Sequence, residues 1–356
     1  MKQIQANDYI IELGDLLESN FHTLLKTTYA NSKKVIIVDE NTHDYCLEFM
    51  ITSFEELQEA EVMLLPIGEE NKVMAVCFQV FEALTEYKIG RKDVIINLGG
   101  GIVSDMGGFV ASVYKRGVDF INIPTSLLAM VDASIGGKTG IDLGVHKNQI
   151  GTFSNPKALF IDKGFLATLP EEELLNGYAE MLKHALILDK EYWNDLVSIT
   201  SLEDLMDEDK IGRSVILKNE IVKADPLENN SRKKLNFGHT IGHAIEGYFL
   251  ENTPVSHGHA VGIGMIAESF LSFKKGILNE KDWKEIETTL SKIFPLLPLE
   301  LEAIPEMIEL MRNDKKNFEG EIKCCLITEI GNCVFDQNIN ENEINEAFCY
   351  LIAMQD

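Results

Sequence analysis

Five short apolar runs constrain the fold of this chain more than any other feature. Residues 34–39 read KVIIVD, 61–66 read EVMLLP, 93–98 read DVIINL, 118–123 read VDFINI and 157–162 read KALFID. Each is short, apolar and rich in β-branched residues, as a buried strand is. Helical stretches lie between several of them, such as the one around Asn71 to Tyr87. Strands that alternate with helices pair by crossover, which makes neighbours parallel, so the pattern predicts a parallel α/β sheet.

The texture changes from Leu169. LPEEELLNGYAEMLKHALIL has helical periodicity, and amphipathic stretches continue to about Met311. Strand signals nearly vanish there, apart from a hairpin pattern at EIKCCLITEIGNCVFD. At 356 residues the chain is too long for one ordinary core. These features predict a Rossmann-like parallel α/β domain over 1–168 and a mostly helical domain over 169–356. With no repeat and no low-complexity linker, the cleft between them is the natural place for a site.

The net charge of −25 argues against a nucleic-acid or anionic-membrane partner, which this field would repel. It also means that an anionic substrate would require the few cations to be gathered locally. The start, MKQIQANDYIIELGDLL, has no basic segment followed by an apolar run, and no stretch approaches eighteen uninterrupted apolar residues. The six cysteines, Cys46, Cys77, Cys324, Cys325, Cys333 and Cys349, form no CxxC pair. Free thiols in a reducing cytoplasm are the expectation.

Directly after the third run, Asn97 to Phe109 reads NLGGGIVSDMGGF. Glycines there permit a tight turn and let phosphate oxygens approach backbone N–H groups at a helix start. The spacing Gly99, Gly101, Ser104 is that of a dinucleotide fingerprint with serine in the last place. Asp39 ends the first run, where a carboxylate can accept hydrogen bonds from ribose hydroxyls, and Glu69 and Lys72 follow the second. Together they ring one end of the expected sheet, where α/β proteins bind nucleotides.

The segment from Val113 to Gly151 gathers Arg116, Lys138 and Lys147 among Gly, Thr, Ser and Asn. IPTSLLAMVDASIGGKTGID within it is too rich in small and polar residues for a plain core element, and too poor in charge for a solvated face. Asp132 and Lys138 flank a diglycine, which reads as a functional loop with side chains aimed at a ligand. Four of the eight histidines then fall in NFGHTIGHAIEGYFLENTPVSHGHAVGIG. His239 and His243 are one helical turn apart, and His257 and His259 follow a short loop. Two pairs this close point to a metal site, and Glu180, in YAEMLKHAL with Lys183 and His184, is the best carboxylate to complete a His2Glu set. Spacing does not choose among the four histidines. The glutamate of the metalloprotease motif is missing, so a protease reading fails.

Taken in order, GGGIVSDMGGF, YKRGVDFINIPTSLLAMVDASIGGKTGID, KNQIG, FLATLP, AEMLKHAL, LNFGHTIGHAIE, HGHAVGIGM and NDKKN resemble the 3-dehydroquinate synthase family, from about Asp39 to Asn317. The resemblance implies a carbon–oxygen lyase of the shikimate pathway, which leads to chorismate and the aromatic amino acids. Its substrate, 3-deoxy-D-arabino-heptulosonate 7-phosphate, becomes 3-dehydroquinate and phosphate through transient oxidation by NAD, phosphate elimination, reduction and intramolecular aldol closure. The implied cofactors are NAD and Zn2+ or Co2+. Glu180, His239 and His257 would hold the metal. NAD would fall to Asp39, Glu69, Lys72, Gly100, Gly101, Ile102, Asp105, Thr125, Ser126 and Lys147, with the loop Phe165, Leu166, Ala167 and Thr168. The substrate would fall to Asp132, Lys138, Asn148, Lys183, Lys218, Arg232, Asn236 and His243, and to Lys315 and Lys316. Of these, Asp132, Lys138, Lys183, Asn236 and His243 would be the catalytic set. Arg116 matches an arginine that reaches a neighbouring subunit's site, which implies a homodimer.

The residue types agree with a substrate that carries a carboxylate and a phosphate, since the matched lysines and arginines supply cationic and bidentate contacts. Four positions depart from the family pattern. Ser104 replaces a glycine, Ser126 a threonine, His146 a glycine, and His259 the glutamate common after histidine–glycine. Rival readings are another sugar-phosphate cyclase, of the 2-deoxy-scyllo-inosose, valiolone or amino-dehydroquinate type, and a metal-dependent glycerol or alcohol dehydrogenase. The dehydrogenases carry a glycine–threonine–glycine–serine loop where this chain has IPTSLLAMVDASIGGKTG.

Overall fold

The computed structural model describes residues 1–144, 146–250, 253–312 and 322–355. The chain divides into two compact units, Met1–Gly177 with Leu205–Lys223, and Tyr178–Asp204 with Ala224–Asp356.

The first unit is built on a seven-stranded sheet. Its strands are β1 (Lys2–Gln5), β2 (Ile10–Leu13), β3 (Lys34–Asp39), β4 (Glu61–Leu65), β5 (Val94–Gly99), β6 (Asp119–Pro124) and, after a separate hairpin of β7 (Lys138–Leu143) and β8 (His146–Phe153), β9 (Ala158–Ile161). The order across the sheet is β1-β2-β9-β6-β5-β3-β4. Every pair is parallel except β1 with β2. A parallel sheet needs cover on its faces, which is why these strands are nearly continuous apolar runs. On one face Val35, Ile37 and Ile95 pack with Met63 and Leu65. They lie against Val80 and Leu84 of helix α1 (Met74–Glu86) and Val103, Met106 and Val110 of helix α2 (Gly101–Val113). Asn97 and Asn122 stand opposite one another on β5 and β6, and the Asn97 amide N–H donates to the Asn122 oxygen at 2.9 Å.

The five predicted strands form within a residue or two of the expected bounds. The structure adds β1 and β2 to the sheet edge. It also shows that the span read as a functional loop runs from the end of β6 through a helical turn, Ala129–Ala133, into the first strand of the antiparallel hairpin β7–β8, which pairs Lys138 with Phe153 and Leu143 with His146.

The second unit is mostly helical, with the antiparallel pair β10 (Ile322–Glu329) and β11 (Asn332–Ile339) where the hairpin was expected. Glu180, Lys183, His239, His243 and His257 lie on three helices, α3 (Glu171–Leu188), α5 (His239–Phe249) and α6 (His257–Lys274), whereas α4 (Glu208–Ala224), which carries Lys218, lies almost wholly in the first unit. Helix α6 is buried along most of its length. Aromatic stacks hold its far end, Phe270 on Tyr350 at 4.0 Å and Phe273 on Trp283 at 4.1 Å between ring centroids. All six cysteines are free thiols. Among the described residues no helix is long and apolar enough to cross a membrane.

Candidate active site

In the first unit β3 leads to β4 on one side and the chain then returns to β5 on the other, so the strand order reverses between β3 and β5. Ligands of open α/β sheets bind at such a point, beyond the carboxyl ends of the strands. Asp39 ends β3, Gly99 ends β5, and Gly100 caps helix α2, whose first N–H groups face outward at its start. Thr125 and Ser126 follow β6 directly, and Phe165 to Thr168 lie in a short helical turn after β9. The Ser126 hydroxyl accepts from the Ala129 N–H at 3.3 Å. The Asp39 carboxylate has a role the sequence does not show: it accepts from Thr42 N–H at 2.7 Å and from its hydroxyl at 2.8 Å, capping the next helical turn.

Lys72 is the hub of a polar group beside this end of the sheet. Its buried ammonium donates to Asp105 Oδ2 at 2.7 Å and Asn148 Oδ1 at 2.8 Å, and lies 3.9 Å from Glu69. Lys147 approaches the same Glu69 oxygen at 3.6 Å. Burial works against the Lys72 charge, and the carboxylates of Asp105 and Glu69 more than reverse this, holding the ammonium protonated. Glu69, Lys72, Asp105, Lys147 and Asn148, spread over eighty positions of sequence, therefore meet in one network. Asn148 adopts φ 52°, a left-handed conformation that asparagine tolerates better than most residues, and its N–H donates to Asp142 at 2.6 Å.

Lys218 on helix α4 reaches across the same unit to Asp132, donating to its carboxylate at 2.7 Å and to its carbonyl at 2.5 Å. Asp132 lies in a π-helical turn, Ala129–Ala133, after β6, and Lys138 stands exposed at the start of β7. Lys115 and Arg116 take φ of 50° and 67° before Gly117, and the Arg116 side chain is exposed.

The second unit holds the histidine cluster. Glu180, Lys183 and His184 share one face of helix α3 and are buried, with Glu180 at 0% exposure. The Glu180 carboxylate contacts the Lys183 ammonium. Its Oε1 also lies 3.4 Å from His239 Nε2 and 3.7 Å from His257 Nε2. His239 and His257 are the first residues of α5 and α6. Both rings present Nε2 to Glu180 because their other nitrogens face acceptors: Nδ1 of His239 lies 3.1 Å from the Phe237 carbonyl, and Nδ1 of His257 lies 3.4 Å from Glu246 Oε2. Burial opposes a charge on His257, and Glu246 and then Glu180 outweigh it, pushing the imidazole up to about 9. His243 is near Glu246 and His257. His259 turns elsewhere, its Nε2 2.6 Å from the Pro295 carbonyl.

This donor set suits a divalent transition ion. One atom from each of Glu180, His239 and His257 lies within 4.8 Å of the others. Ligands held tetrahedrally at about 2.1 Å from zinc stand about 3.4 Å from one another, close to the spacings found. Acceptors on the Nδ1 atoms are the usual support of a metal-ligating histidine.

After α4 the loop is folded around Asp225. Its carboxylate accepts from the N–H groups of Asn229 at 3.0 Å, Asn230 at 2.7 Å and Arg232 at 3.0 Å. Arg232 is buried and donates to the Pro226 carbonyl at 2.6 Å, and Asn236 donates to Glu228 at 2.9 Å. Lys315 and Lys316 lie outside the described residues.

The family model described as 3-dehydroquinate synthase N-terminal matches residues 62–176, and the one described as 3-dehydroquinate synthase C-terminal matches 177–317. The chain belongs to the 3-dehydroquinate synthase family. A 3-dehydroquinate synthase of Parabacteroides distasonis is 38% identical over 97% of this chain and 96% of the relative. Among solved structures, a 2-epi-5-epi-valiolone synthase from Streptomyces hygroscopicus with NAD+ and Zn2+ bound superposes with a TM-score of 0.84 at 28% identity, covering 100% of this chain and 99% of that one. A 2-deoxy-scyllo-inosose synthase shares the fold, with a TM-score of 0.84 at 24% identity over 98% of both chains.

Within this family member, four acidic residues that sequence reasoning passed over support the expected site residues. Asp225 organises the turn before Arg232. Glu228, at φ 59°, accepts from Asn236. Glu246 faces His257, and Glu268 caps the helix that begins at His239. The last two had a signal, since each is an acid among apolar and small residues, in GHAIEGYF and GMIAESFL.

Proposed function

We propose that this chain converts 3-deoxy-D-arabino-heptulosonate 7-phosphate to 3-dehydroquinate and phosphate, with NAD and a divalent ion, zinc or cobalt, as cofactors. The observation that carries the reading is the buried Glu180 carboxylate set against two Nε2 atoms, in a chain of this family. NAD belongs to the sheet-bearing unit, at Asp39, Glu69, Lys72, Gly100 to Ile102, Asp105, Thr125, Ser126, Lys147 and the Phe165–Thr168 turn. The ion belongs to Glu180, His239 and His257. When bound, NAD supplies a hydride acceptor restored within each turnover, and the ion supplies Lewis acidity toward adjacent hydroxyls.

The chain's own residues bind and orient. Lys138, Lys183, Lys218, Arg232 and Asn236, with Asn148, Lys315 and Lys316, serve the substrate's carboxylate, phosphate and hydroxyls. In a chain of net charge −25 these cations give the anion a local attractive field. Asp132 orients Lys218 through the 2.7 Å contact. His243 holds or passes a proton beside His257. Arg116, exposed on a left-handed turn that glycine would adopt more readily, supports a homodimer in which it serves the neighbouring site. The free thiols support a cytoplasmic location.

The test is phosphate release from the phosphosugar acid with NAD and zinc added, before and after chelation, while reduced nicotinamide is followed by absorbance. Chelation-sensitive release with no net reduced cofactor is expected. Stoichiometric NADH would instead mark a dehydrogenase, and no release with both cofactors bound would mark a different sugar-phosphate substrate.

A further inference from the structure

Helix α5 begins at the candidate ligand His239, yet its N-cap is Gly238, which has no side chain with which to satisfy the first N–H groups. Glycine is required there. Gly238 sits at φ 78°, and a β-carbon on it would come within 2.5 Å of Met265 Cγ and 3.0 Å of the Val261 carbonyl. The missing cap arrives from another helix. Glu268 of α6, at 0% exposure, accepts from Gly238 N–H at 2.7 Å with Oε2, and from Thr240 N–H at 3.1 Å and Ile241 N–H at 3.2 Å with Oε1. Its charge lies at the positive end of the helix.

We infer that Glu268 is a positioning residue for the metal centre, acting through the backbone turn that presents His239. The turn Phe237–Gly238–His239 is held at its central N–H by Glu268, and the Phe237 carbonyl, 3.1 Å from His239 Nδ1, takes the ring's proton on that nitrogen. The tautomer this fixes leaves the Nε2 lone pair directed at Glu180. An acid 29 positions along the chain from His239 thus sets both the rotation and the tautomer of that imidazole. Glu268 also starts from the same helix as His257, so one rigid element fixes both histidines. The inference rests on the reading of Glu180, His239 and His257 as a metal site.

The experiment uses the full chain, freed of metal by chelation, titrated with Co2+ alone. Affinity and the visible Co2+ spectrum are recorded for the wild type and for Glu268→Gln, which keeps the shape but puts an amide N–H2 against backbone donors. NAD affinity is measured in parallel. We expect Glu268→Gln to lose about 10- to 100-fold in Co2+ affinity with an altered spectrum, and to bind NAD within about two-fold of wild type. Glu268→Asp, which restores the charge, is expected to recover part of the loss. Wild-type affinity and spectrum in Glu268→Gln would overturn the inference, as would an equal fall in NAD affinity, the mark of general unfolding. Failure of the wild type itself to take up Co2+ would overturn the metal reading on which the inference stands.

Discussion

Lys72→Met isolates the network beside the carboxyl end of the sheet. The lysine side chain is 5% exposed and its Asp105 partner 19%. Methionine keeps the apolar length but removes the ammonium that serves Asp105 and Asn148 and lies near Glu69. Breaking a buried ion pair by deleting one partner costs about 3–5 kcal/mol, because the other charge is left behind. Water reaches part of Asp105, which places the expected cost near about 3 kcal/mol. For a unit of about 200 residues, each kcal/mol moves Tm by about 2–4 °C, so a fall of about 6–12 °C is expected in scanning calorimetry without NAD. Removing both charges, as Lys72→Met with Asp105→Asn, should recover more than half, since Asp105 is then neutral and Glu69 keeps Lys147 as a neighbour. The pH dependence has a definite sign. Burial already pushes the Asp105 carboxyl up, with Lys72 opposing. Without Lys72 it rises further, so the folded variant binds a proton more readily than its unfolded chain. The variant should therefore regain stability relative to wild type as the pH falls toward the usual carboxylate range near about 4. A Tm change under about 2 °C, or single effects that simply add in the double variant, would refute the claim that Lys72 is an electrostatic hub.

Asp225→Ala should cost about 2–3 kcal/mol in thermal unfolding, because the buried Arg232 N–H and two neighbouring N–H groups lose a charged acceptor. Burial opposes the Asp225 charge, and the N–H groups of Asn230, Arg232 and Asn229 outweigh it, holding the carboxyl below its usual range. Its contribution is present above the unfolded value near about 3.9 and lost as pH falls through the lower folded value, so the gap between wild type and variant should narrow in acid. For His257, pushed from 6.5 up to about 9, the sign is the opposite. In metal-free protein its contribution is complete below about pH 6.5 and lost as pH rises through about 9, and zinc uptake at neutral pH should release a proton from this site. Calorimetric titration in buffers of different ionisation enthalpy reads that proton, and a binding heat independent of buffer would refute it.

The inner strands of the sheet were legible because they are buried on both faces and so appear as uninterrupted apolar words. The edge was not. Three of the four residues of KQIQ in β1 are polar and the strand is largely exposed, and IIEL of β2 is broken by Glu12. The hairpin β7–β8 escaped notice because HKNQIGTF lies half in water and needs no apolar alternation. At the site, residues that cluster in sequence were legible, above all the four histidines and the glycine-rich turn. Contacts made across long separations were not. Nothing in the sequence pairs Lys218 with Asp132, or sends Glu268 to a helix start that lies before it in the chain. Glycine at position 238 appears only as a missing side chain, and where the compensating acid stands depends on how α5 and α6 pack.

Helices α5 and α6 meet with almost nothing between them. A β-carbon on Gly264 would fall 2.0 Å from the Gly238 carbonyl, and one on Gly242 would fall 2.9 Å from the Ala260 carbonyl. The separation of two histidines is thus gauged by bare backbone, which cannot be compressed and gives way only if a side chain is wedged in. The candidate ligands His239 and His257 each begin one of these two helices, so their spacing depends on positions outside the donor set. A side chain at Gly242 or Gly264 would therefore displace the candidate ligands without replacing either of them.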